Sequence, residues 1–67
     1  MKSSQEMIDF LLSVGWTKIE IADAIGVTSV TILHWHRGGG KPRFEIFKKL
    51  WKLYQQVKKE FQIEGED

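Results

Sequence analysis

Eight lysine and arginine side chains stand between residues 36 and 59, against a single carboxylate, Glu45. Arg37, Lys41, Arg43, Lys48, Lys49, Lys52, Lys58 and Lys59 give that stretch a charge of +7, while the whole chain carries only +1. The total hides the block because residues 1–35 sum to −2 and residues 60–67 to −4. A concentrated positive segment suits a polyanionic partner, through long-range attraction and direct contact. It also suits a solvated, lysine-rich helix face, and charge alone leaves both readings open.

Other residue types invite other chemistry and then fail on spacing. His34 and His36 form a His-x-His, but helical residues two apart point in different directions and cannot share one metal ion. No cysteine is present to complete a thiolate site or a disulfide. Gly38-Gly39-Gly40-Lys41 lacks the spacing of a phosphate-cradling nucleotide loop, and no strand pattern precedes it. The serines Ser3, Ser4, Ser13 and Ser29 have no credible His–acid partners, so no enzyme, cofactor or small-molecule substrate is expected. Trp16, Trp35 and Trp51 could stack on bases, but their helical spacing favours core positions.

The elements that must position these residues are all helical. At 67 residues the chain is one small domain, and at that size only about 60% of the unfolded surface is buried. The apolar runs are too short to span a membrane. Met1-Lys2-Ser3-Ser4-Gln5-Glu6 does not read as a signal peptide. A first helix carries Met7, Ile8, Phe10, Leu11, Leu12 and Val14, with Ser3 and Glu6 at capping-box spacing and Gly15 at its end. Thr17 and Glu20 repeat that box for a second helix with Ile21, Ala22 and Ile25 inward. Trp16 is placed to staple onto Ile21, and Gly26 closes the helix. Thr28 caps a third helix, with Val27 placed to staple onto Ile32. The glycines end it, Pro42 suits the first turn of a fourth helix, and that helix runs long, to about residue 60. On it, Phe44, Phe47, Leu50 and Tyr54 read as one side, and Ile46, Leu53 and Val57 as an adjacent one. The expected division is a domain over 1–61 and an acidic, frayed tail over 62–67.

Two short helices joined through Gly26 make a helix-turn-helix, whose geometry needs a small residue at Ala22 and apolar residues at Ile32 and Trp35. The spacing is Ala22-x3-Gly26-x5-Ile32-x2-Trp35, with Ile21, Ile25 and Val27 filling the other inward positions. Here the chain resembles the phage repressor and Cro family, the lambda-repressor-like helix-turn-helix proteins. Trp35-x2-Gly38-x3-Pro42 is similar to that family's exit from its third helix, and Lys41-Pro42-Arg43-Phe44 to its basic entry to the fourth. The likeness runs from Thr17 to Phe44.

That resemblance implies an all-α, four-helix domain that binds double-stranded DNA at an operator and regulates transcription. It places the third helix in the major groove, with Thr28, Ser29, Val30, Leu33 and His34 facing base edges. It implies phosphate contacts from Lys18, Arg37, Lys41 and Arg43, with Arg43 able to enter the minor groove. The starts of the second and third helices, at Lys18 and Ser29, offer free N–H groups to phosphate. His36 reads as a phosphate-side or solvent residue.

Several residues depart from the family pattern. Lys18 stands where the family often has glutamine. The reading face has no glutamine, asparagine or lysine, but Val30 and Leu33 suit thymine methyls. The family commonly has a fifth helix, whereas one long fourth helix is expected here.

The small core and the surplus of apolar residues on the fourth helix point to a homodimer, which would set two reading helices one DNA turn apart. The expected setting is the cytoplasm of a prokaryotic or phage-infected cell. Rival readings are an antirepressor-like helix-turn-helix whose Val30/Leu33 face docks on protein, and an excisionase-like DNA-architectural protein.

Overall fold

A computed structural model describes residues 2–61, which form four α-helices and no strand. They are α1 (Ser4–Ser13), α2 (Lys18–Ile25), α3 (Ser29–His36) and α4 (Phe44–Phe61). The acidic stretch 62–67, expected to fray, lies outside the described residues.

Local chemistry starts and stops the three short helices. Ser3 and Thr17 both form complete capping boxes: each hydroxyl accepts from the N–H of Glu6 or Glu20, and the glutamate accepts the cap's own N–H at 3.0 Å. Thr28 caps α3 in the simpler way, accepting the N–H of Thr31 at 3.2 Å. Each helix then ends on a six-to-one bond across a left-handed glycine: Trp16 N–H to Leu11 O, Val27 N–H to Ala22 O, and Gly39 N–H to His34 O. At Gly26 (φ 83°) and Gly38 (φ 81°) an L side chain would be strained, so glycine sets where α2 and α3 stop.

The core is Met7, Ile8 and Leu11 of α1, Ile21, Ala22 and Ile25 of α2, Ile32 and Trp35 of α3, and Leu50, Tyr54 and Val57 of α4. Phe10 meets Tyr54 edge-on, with ring centroids 5.2 Å apart, which joins α1 to α4. Trp16, Val27 and Trp51 pack at the core margin, half-buried.

Two expectations for α4 need correction. Val57 shares the buried side with Leu50 and Tyr54, not with an adjacent one. At 100° per residue, Leu50 and Val57 lie roughly 20° apart around the helix. Phe44 lies roughly 120° from Leu50 on the same reckoning. It is 71% exposed, with the Lys48 ammonium 5.0 Å from its ring centroid. Pro42 also falls just before α4 instead of in its first turn, because Arg43 holds the N-cap: its carbonyl accepts the Phe47 N–H at 2.8 Å.

One packing fact positions the site. α3 rests on α2 and α1, with its backbone set away from that of α4. On its outer side Val30 and His34 are exposed.

Candidate nucleic-acid interface

The site is built from α3 outward. Ile32 and Trp35 point into the core, which fixes the helix's rotation about its axis. Ser29 and Leu33 are four residues apart, Val30 and Leu33 three, and Val30 and His34 four, so these side chains share the opposite strip. Val30 is 72% exposed, and His34 is exposed. Ser29 and Leu33 are half-buried, Leu33 without joining the core. Thr28 sits at the edge of the strip, its hydroxyl occupied: it accepts the Thr31 N–H and shares a 3.0 Å hydrogen bond with the Thr31 hydroxyl. The strip thus combines one small hydroxyl with two apolar side chains, a surface suited to methyl groups and shape as much as to hydrogen-bonding edges.

The cations come from separate elements. Lys18 is the first residue of α2, half-buried. Arg37 is the C-cap of α3, Lys41 lies in the connecting loop, and Arg43 is the N-cap of α4; all three are exposed. No lysine or arginine lies within 4.0 Å of a carboxylate among the described residues; the salt bridge there is His36–Asp9. Among the described residues the cations are therefore unneutralised by direct pairing and can meet external phosphate.

Backbone donors accompany them. Thr17 and Thr28 each satisfy one N–H of their helix, at the third position, which leaves the first two of α2 and α3 unused by the cap. The start of α4 is a feature that reading the sequence did not reveal. Arg43 holds its N-cap, and a guanidinium has no acceptor, so it cannot cap as the threonines do. A positive side chain beside uncapped N–H groups suits an anion. The available signal was a basic residue, where Ser, Thr, Asp or Asn is usual, immediately before the apolar period begins at Phe44.

The two histidines part company. The His34 ring lies against the loop after α3: a Cβ built on Gly39 would fall 2.6 Å from its Cε1, and one on Gly40 3.3 Å from its Nε2. His36, read as a phosphate-side or solvent residue, is half-buried and turned to α1, with Nε2 3.2 Å from Asp9 Oδ1. The Gln5 amide reinforces that junction by donating to the His36 carbonyl at 3.0 Å.

Ile19 is a second residue that the helical pattern did not single out. It follows Lys18 on α2 and is 69% exposed. No helix of the described residues is long and apolar enough to cross a membrane.

Residues 7–61, which include all four helices apart from the first turn of α1, match the family model described as helix-turn-helix. No curated protein and no solved structure matches the chain.

Proposed function

The chain belongs to the helix-turn-helix family, and on that footing we propose that it is a sequence-specific, double-stranded DNA-binding transcriptional regulator of the phage repressor and Cro type. Membership carries a general DNA-binding, regulatory or protein-interaction role; the finer reading rests on the exposed strip of α3. On that strip Val30 and His34 are exposed, and the cations of the neighbouring elements have no described carboxylate partner.

The mechanism is binding alone. Ser29, Val30 and Leu33 select bases in the major groove, with Thr28 and His34 at the margins of the same face. Lys18, Arg37, Lys41 and Arg43 set the register on phosphates, assisted by the N–H groups at the starts of α2, α3 and α4. The protein acts as a homodimer on a near-palindromic operator in the cytoplasm of a prokaryotic or phage-infected cell. Apolar surface exposed on α4, at Phe44 and Phe61, supports the dimer.

Selection of bound duplexes from a random pool tests this reading. A consensus with two-fold symmetry is the expected outcome; retention of duplexes with no common sequence would overturn it.

A second reading has its own support. Ile19 and Val30 are both more than two-thirds exposed and stand on the two helices of the motif. Apolar side chains so placed also suit a protein partner, as in an antirepressor-like module. In that case Val30→Ala abolishes protein binding, and no duplex is selected.

A further inference from the structure

His34 belongs by position to the α3 strip, yet its ring and its backbone both engage the loop that follows. Its carbonyl accepts the Gly39 N–H at 2.9 Å. Its imidazole covers Gly39 and Gly40 so closely that a Cβ at Gly39 would lie 2.6 to 3.0 Å from three ring atoms. Real Cβ atoms essentially never approach that near. Gly38 alone of the three loop glycines needs a left-handed backbone. At Gly39 and Gly40 the nearest obstacle to a side chain is the His34 ring, not φ.

The next residues are Lys41, Pro42 and Arg43, two of them proposed phosphate anchors. Pro42 limits the backbone freedom on the far side of Lys41. The ring of His34 limits it on the near side.

We propose that His34 is a positioning residue: it braces the Gly38–Lys41 loop against α3 and so holds Lys41 and Arg43 in register with the base-reading strip. This rests on the DNA-binding reading above and sharpens it, because a brace and a base reader respond differently to mutation. Loss of a base reader changes the order of preferred sequences. Loss of a brace weakens every duplex alike and loosens the hold on phosphates.

The test is a double-mutant cycle with His34→Ala and Gly39→Ala, read by DNA affinity across a salt series on several duplexes. Gly39→Ala needs no left-handed backbone, and it displaces the far end of an exposed side chain, so the fold survives it. Each single variant is expected to lose roughly two- to tenfold in affinity on all duplexes. The salt slope should fall by about 0.9 for each phosphate that is no longer engaged. In the His34→Ala background, Gly39→Ala should cost nothing further. An equal Gly39→Ala penalty in both backgrounds overturns the proposal, as does a His34→Ala variant with changed base preference and an unchanged slope. Amide exchange separates the brace from the DNA-binding reading. With no DNA present, His34→Ala should speed exchange at Gly39, whose N–H is hydrogen-bonded, and leave α1 unchanged. Unchanged loop exchange overturns the brace, whereas absence of DNA binding by the parent chain overturns only the earlier reading.

Discussion

His36 Nε2 sits 3.2 Å from Asp9 Oδ1, so the last turn of α3 is tied to the middle of α1 from outside the core. The Asp9 side chain is 76% exposed and that of His36 29%. Solvent therefore screens the pair, and its worth is that of a surface interaction. Asp9→Ala should lower stability by less than about 1 kcal/mol, with the DNA consensus unchanged. Thermal melts at low and high salt check the size, and selection on the variant checks the consensus.

The turn between α2 and α3 is less forgiving. Ala22 is 3% exposed, and its carbonyl accepts both the Gly26 and Val27 N–H groups. Gly26→Ala should cost about 1–2 kcal/mol, because L residues pay that in the left-handed region. Ala22→Leu should cost about 1–3 kcal/mol through overpacking where α3 crosses. Urea titrations monitored by helical dichroism read both.

Along α4, burial predicts opposite outcomes for two apolar residues six apart. Leu50→Ala should cost about 2–5 kcal/mol, since Leu50 is fully buried. Phe44→Ala should change stability by no more than about 0.5 kcal/mol, since Phe44 meets solvent. Equal losses at the two positions, in the same urea experiment, would contradict the rotation of α4.

The capping box of α1 makes stability depend on acid. The Ser3 N–H, with smaller help from Lys2 and the Ser3 hydroxyl, holds the Glu6 carboxyl below its ordinary value. A lowered folded value means that the unfolded chain takes up the proton first. The stabilisation is thus complete at neutral pH and is lost as pH falls through the lowered folded value. Melts of the parent and Glu6→Gln should differ at neutral pH, and the difference should shrink on acidification into that range.

The anchors and the readers of the interface should separate in the same DNA titrations. Lys41→Ala and Arg43→Ala should weaken all duplexes and lower the salt slope by about 0.9 per phosphate. Ser29→Ala and Val30→Ala should change the preference at one base by about 1–3 kcal/mol. An unchanged slope removes Lys41 and Arg43 from the backbone contacts. Uniform loss removes Ser29 and Val30 from base reading.

What could be read from the chain alone lies within four residues of its cause. The boxes at Ser3 and Thr17, the cap at Thr28, and the glycines that end α1, α2 and α3 are visible because hydroxyls, carboxylates and Cβ-free backbone act on immediate neighbours. The inward spacing of Ala22, Ile25, Ile32 and Trp35 is equally local, since it follows from the helical period. Tertiary structure decided which side of α4 is buried, because Phe44 and Val57 are both apolar and only the placement of α1 and α2 distinguishes them. It also decided the work of the two histidines. His36 found Asp9, 27 residues away, and His34 closed over Gly39 because the end of α3 folds the loop back beneath its ring. Neither partner follows from residue type, since an imidazole outside the core is bound by whatever the chain's turns bring within reach.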